Sequence, residues 1–112
     1  MPRRDWRLRV SDILQAVERI ESFTRGLTLE MFMRDERTIA AVSYELVVIG
    51  EAAKHVPAEA EAVAPEVPWQ DMRDMRNVVA HEYFGVDIMI VWRTATEDVP
   101  KLAPPLRGLL GS

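Results

Sequence analysis

The sequence predicts an all-α domain, an antiparallel bundle of four to five helices. Three observations lead there. Apolar residues recur at alternating steps of three and four through most of the chain. No stretch alternates apolar with polar residues, and no Asn-Gly turn joins two such stretches, so nothing reads as a hairpin. Glycines and prolines fall mostly between the periodic stretches, where helices stop. With 112 residues the chain makes one helical domain, 1–112, with a single core and little spare burial.

The first helix is expected from about 5 to 25. Trp6, Val10, Ile13, Val17, Ile20 and Thr24 form its stripe, Leu14 and Phe23 widen it, and Gly26 caps it. Arg3, Arg4, Arg7 and Arg9 make its start the most basic segment of the chain, as a solvated first turn or as an RNA-contacting arm. Residues 28–33 read as one or two turns. Asp35 then caps a long helix with Ile39, Val42, Leu46, Ile49, Ala53 and Val56 on one face, broadened by Val47 and Val48. So broad an apolar face predicts a central helix. Gly50 lies inside it at a cost of about 1 kcal/mol relative to Ala, which predicts close approach of another helix or subunit. Pro57 stops this helix.

Residues 57–68 are acidic, Ala-rich and punctuated by Pro57, Pro65 and Pro68, and read as a loop with a helical turn. The next helix opens at Pro68 or Trp69, buries Met72, Met75 and Val79, and ends at Gly85. Asp87 caps the last one, with Ile88, Val91, Trp92, Ala95, Val99 and Leu102 in line and Pro100 kinking or ending it. The tail from about 104 is expected to be loosely ordered. Met31, Met33, Met72, Met75, Trp69 and Trp92 are expected in the core rather than on a cofactor.

Composition removes several kinds of chemistry. The chain has no cysteine, which excludes disulfides, thiolate metal sites and a cysteine nucleophile. Two histidines, His55 and His81, are too few for a zinc site within one chain, and no metal or cofactor is expected. No apolar run approaches the ~18 residues of a membrane span, and no signal-peptide core follows the basic N-terminus, so a cytoplasmic protein is expected. A net charge of −4 argues against indiscriminate nucleic-acid binding but allows a local basic site. All the basic residues except Lys54 and Lys101 are arginines, the better bidentate ligands for phosphate.

The stretch Arg76-Asn77-Val78-Val79-Ala80-His81-Glu82-Tyr83 concentrates the side chains that handle phosphates and protons. Arg76 offers a permanent charge and a fork of donors. His81 titrates near neutral pH and can exchange a proton. Together they suit metal-independent cleavage of RNA, in which the 2′-oxygen attacks the adjacent phosphorus. Asn77 shares a helix face with His81, and Tyr83 adds a hydroxyl. From the residues alone, capping and dipole effects at a helix end are the commoner reason for such a histidine. At about 100° per residue, Arg76 and His81 stand roughly 140° apart on a regular helix. One copy therefore aims them poorly at one phosphate. Two copies about a two-fold axis, or a distorted helix end, would bring them together. His55 reads as a helix C-terminal residue, and Glu51 is placed to pair with it or with an arginine of the site.

Ile49-Gly50-Glu51-Ala52-Ala53-Lys54, Pro68-Trp69, Met75-Arg76-Asn77, His81-Glu82-Tyr83-Phe84-Gly85-Val86-Asp87, Val91-Trp92 and Glu97-Asp98-Val99-Pro100 together resemble HepT-like HEPN-domain toxins. These are partners of minimal nucleotidyltransferase antitoxins of the MntA type. The resemblance covers about residues 5–105, and Arg76–Asp87 is its specific part. It implies a homodimeric helical bundle acting as a metal-independent endoribonuclease. Arg76 and His81 would be catalytic, with Asn77 and Tyr83 in support. RNA, tRNA included, would be the substrate. The partner nucleotidyltransferase would silence the toxin by adding AMP to Tyr83. The alternative is a non-catalytic helical subunit that binds nucleotide or RNA beside a nucleotidyltransferase.

Overall fold

The computed structural model describes residues 5–83 and 88–111, with 80–83 described through their backbone alone. Every regular element among them is helical, as the periodicity predicts. Helix α1, Trp6–Thr24, starts where the Asp5 carboxylate accepts from the Arg7 N–H at 2.9 Å. Val10, Ile13, Val17 and Ile20 are buried along its stripe, whereas Phe23 stays exposed at the edge. Gly26 follows with φ +78°, the left-handed conformation that ends a helix at little steric cost to glycine.

Helix α2, Leu29–Met33, is capped by Thr28 and turns only Phe32 inward, its ring centroid 5.0 Å from that of Trp92. Met31 and Met33, expected in the core, are instead half exposed. A helix of five residues offers the core a single position, and Phe32 takes it.

Helix α3, Glu36–Lys54, lies between α1 and α5 (Trp69–Tyr83). Asp35 caps it by accepting from the Thr38 amide at 3.1 Å and the Thr38 hydroxyl at 2.6 Å, and these bonds hold its carboxyl below the usual range. Val42, Leu46 and Ile49 are fully buried on it. At Gly50 α5 comes close to α3. A Cβ there would sit 3.0 Å from Arg76 Cβ, 3.2 Å from Arg76 N and 3.3 Å from Arg73 O. The close approach that Gly50 predicts is therefore to α5, at the arginine of the motif.

Residues 57–68 carry more structure than a loop. Helix α4, Ala58–Val63, buries Ala60, and Ala64 and Val67 are buried beyond it. The Trp69 indole N–H donates to the Ala64 carbonyl at 3.0 Å and ties this segment to the start of α5. Met72, Met75 and Val79 then seat α5 in the core. The predicted caps Gly85 and Asp87 lie outside the described residues.

Helix α6, Ile88–Arg93, does not end at Pro100. It widens into a π-type stretch, Thr94–Asp98, tightens into a 3-10 stretch, Val99–Leu102, and runs on into α7, Ala103–Gly111. Changing helix type accommodates the amide hydrogen that Pro100 lacks. The tail expected to be loosely ordered is therefore a helix, with Leu106 and Leu109 buried and α1 packed beside it. Pro104 and Pro105 fall in the first turn of α7, the part of an α-helix that tolerates proline best. No helix among the described residues is long and apolar enough to cross a membrane.

Candidate active site

With Trp69, Met72, Met75 and Val79 buried, α5 turns another face outward, and this face carries Arg76 and Asn77. Arg76 is half exposed, and its Nη1 lies 2.8 Å from Oε1 of Glu51 on α3. Of the two partners the sequence leaves open for Glu51, the structure selects the arginine. The contact depends on Gly50, because only a residue without a side chain lets α5 press its Arg76 Cβ against α3 one position away from Glu51. Around the pair is a hollow of about 410 Å³ lined by Gly50, Glu51, Lys54, Arg73, Arg76 and Asn77.

Arg73 pairs with Glu61 of α4 and donates from Nη1 to Gln70 Oε1 at 3.4 Å. The acidic segment thus engages the cation one turn before Arg76. Sequence reading did not single out Arg73 or place Lys54 at the site. Their signal was spacing: Arg73 precedes Arg76 by three residues on one helix face, and Lys54 follows Glu51 by three. His55 caps the end of α3, its backbone N–H donating to the Ala52 and Ala53 carbonyls, as its reading at the helix end expects.

Helix α5 continues through His81 to Tyr83 in its backbone. The helical step therefore applies, and Arg76 and His81 leave the axis roughly 140° apart. The side chains of His81 and Tyr83 lie outside the described residues.

A further buried carboxylate went unnoticed in the sequence. Glu45 on α3 is 5% exposed, although it stands between Val42 and Ile49 where the stripe calls for an apolar residue. Its Oε2 lies 3.8 Å from Arg19 Nη1, and its Oε1 has no hydrogen-bond partner. Burial pushes its carboxyl up, and the Arg19 charge offsets this in part.

The all-helical bundle, with an arginine–glutamate pair beside a hollow on one helix face, places the chain among small helical proteins. Comparison with known proteins narrows the class. The family model described as ribonuclease HepT-like matches residues 13–108, and the chain belongs to that family. The "Probable ribonuclease HepT" of Thermococcus cleftensis is 44% identical over 93 residues, covering 83% of this chain and 84% of the relative. A Methanocaldococcus jannaschii protein named as a candidate RNase is 38% identical over 100 residues, covering 89% of this chain and 83% of the relative. A similarly named protein of Caldanaerobacter subterraneus is 35% identical over 98 residues, covering 88% of each chain. No solved structure matches the chain closely enough to extend the comparison.

Proposed function

We propose that this protein is a metal-independent endoribonuclease acting as the toxin of a toxin–antitoxin pair in the cytoplasm. The observation that carries the reading is Arg76, which shares α5 with His81 and is held at 2.8 Å by Glu51 of α3. A guanidinium whose free donors face a polar hollow is suited to the oxygens of a phosphodiester. His81 takes the proton of the ribose 2′-hydroxyl, and the 2′-oxygen attacks the adjacent phosphorus. A 2′,3′-cyclic phosphate forms as the bond to the 5′-oxygen breaks. That oxygen leaves as a hydroxyl after taking a proton from water or from an imidazolium. Arg76 offsets the charge that builds on the phosphoryl oxygens.

The helical angle supports a homodimer in which the arginine of one protomer meets the histidine of the other in a shared cleft. Asn77, in the same hollow as Arg76, would contact substrate beside it. Tyr83, two residues beyond His81, is the proposed acceptor of AMP from an MntA-type nucleotidyltransferase. Transfer joins the tyrosyl oxygen to the α-phosphorus of ATP and releases pyrophosphate. The bulky, charged adduct would block the cleft. RNA, with tRNA as one candidate, is the proposed substrate.

The test is incubation of purified protein with total RNA, followed by mapping of new ends. Cleavage leaving 2′,3′-cyclic phosphates, lost in Arg76→Ala and His81→Ala, is the expected result. Cutting at an undiminished rate in both variants would remove the assigned mechanism. A folded protein that binds RNA and never cuts it would favour a non-catalytic subunit that binds nucleotide or RNA.

A further inference from the structure

Three hollows adjoin around the last turn of α3. The first holds Arg76. A second, of about 600 Å³, lies between the start of α1 and the end of α3, and it shares Lys54 with the first. Trp6, Arg9 and His55 line it as well. A third, of about 310 Å³, shares Arg9 and His55 with the second and Glu51 with the first. The shared lining residues set the three hollows side by side, with the second and third next to the one at Arg76.

The three linings carry Arg9, Arg19, Lys54, Arg73 and Arg76 against Asp5, Asp12 and Glu51, so they lean positive on a chain that is −4 overall. Arg76, Arg73 and Arg19 are engaged by Glu51, Glu61 and Glu45. Arg9 and Lys54 have no acidic partner within ion-pair distance among the described residues. Asp5 lines the same hollow and keeps its charge while it accepts from the Arg7 amide. Two cations without an ion-pair partner and one carboxylate therefore line a hollow with a tryptophan in its wall, and the Arg7 guanidinium lies over that tryptophan, 5.0 Å from the ring centroid. Cations along a groove with an aromatic wall are how proteins hold single-stranded nucleic acid.

We propose that the hollow between Trp6, Arg9, Lys54 and His55 is a subsite for single-stranded RNA next to the phosphate at Arg76. This rests on the reading that Arg76 and His81 cut RNA. Arg9 and Lys54 hold phosphates of the flanking nucleotides, and Trp6 gives an unpaired base an apolar wall. His55 borders the path from the α3 cap. A concave site of this size accepts an extruded base, whereas a duplex presents only its backbone to it.

The test uses the His81→Ala protein, which binds without cutting, and a labelled single-stranded oligoribonucleotide titrated at several salt concentrations. Arg9→Ala with Lys54→Ala should bind at least tenfold more weakly. It should also flatten the slope of log affinity against log salt by about 1.4, at roughly 0.7 for each phosphate no longer neutralised. With His81 restored, the same pair should raise KM and leave kcat near that of the parent. Unchanged affinity and slope in a protein whose parent cuts RNA would overturn the subsite and leave the ribonuclease reading standing. Equal competition by duplex RNA would overturn its single-strand character. If the parent binds RNA but never cuts, the ribonuclease reading fails and the salt slope alone judges the subsite. If it binds no RNA, both fail. Should Arg9→Ala unsettle α1, Lys54→Ala at its exposed position gives the same readout, with half the change in slope.

Discussion

Replacing Gly50 with alanine puts one methyl group where α3 and α5 touch. In an isolated helix the change would help by about 1 kcal/mol, because glycine is the poorer helix former. In this fold the new Cβ would lie 3.0 Å from Arg76 Cβ, inside the ~3.5–4.0 Å at which carbon atoms attract. Two of its three nearest atoms belong to the α5 backbone, so no flexible side chain can swing away to relieve the clash. Overpacking of this kind costs roughly 1–3 kcal/mol. The balance is a loss of about 0–2 kcal/mol after the gain of about 1 kcal/mol is set against it. Activity should suffer more than stability, since the atoms that must move include the backbone and Cβ of Arg76. A misplacement of about 1 Å can cost on the order of a hundredfold in rate, so a shift of a few tenths should cost about tenfold. Urea denaturation and the initial rate of RNA cleavage measure the two effects. Stability raised by a full ~1 kcal/mol with an unchanged rate would refute the reasoning, because it would mean that α5 yields without moving Arg76.

Glu51→Gln should change stability by less than ~1 kcal/mol, since its ion pair with Arg76 is solvent-exposed, yet lower kcat by about tenfold if the carboxylate aims the guanidinium; an unaltered rate would leave the pair without a role. Glu45→Gln should stabilise the protein at pH 7 by up to about 1 kcal/mol, because the amide carries no charge for burial to penalise, while the loss of the Arg19 pair limits the gain. Because burial raises the folded pKa of Glu45, the wild type loses stability as pH rises from the ordinary glutamate range through that value. The advantage of the variant should therefore vanish in acid, and thermal melts at pH 4 and pH 7 compare the two; an equal gain at both values would point elsewhere. Leu106→Ala should destabilise by roughly 2–5 kcal/mol because its side chain is fully buried in α7, as chemical denaturation would report. A loss within ~0.5 kcal/mol, the range of surface substitutions, would mean that α7 does not contribute to the core.

Sequence alone carried the helical class, the main helix boundaries and the sense of Gly50, because these follow from local rules. A three-four apolar period, an aspartate ahead of Glu36 and a glycine inside a buried helix each have a meaning that needs no distant residue. The chemistry expected of Arg76, His81 and Tyr83 is likewise read from the residue types. The π-type and 3-10 stretches around Pro100, and α7 beyond Pro104 and Pro105, were not legible. Whether a proline ends a helix, bends it or opens the next one depends on which of its turns the surroundings hold in place.

What the tertiary structure alone decided is which groups meet. Glu51 had two partners open to it in the sequence, and the approach of α5 over Gly50 assigns it to Arg76. Arg9 and Lys54 stand 45 positions apart in the chain and line one hollow only because α1 and α3 pack side by side. Glu45 shows the converse: its position in a stripe foretells burial, but only the neighbouring α1 supplies Arg19 and leaves Oε1 bare. Periodicity states which face of a helix turns inward, and chain packing determines what that face and its borders find there.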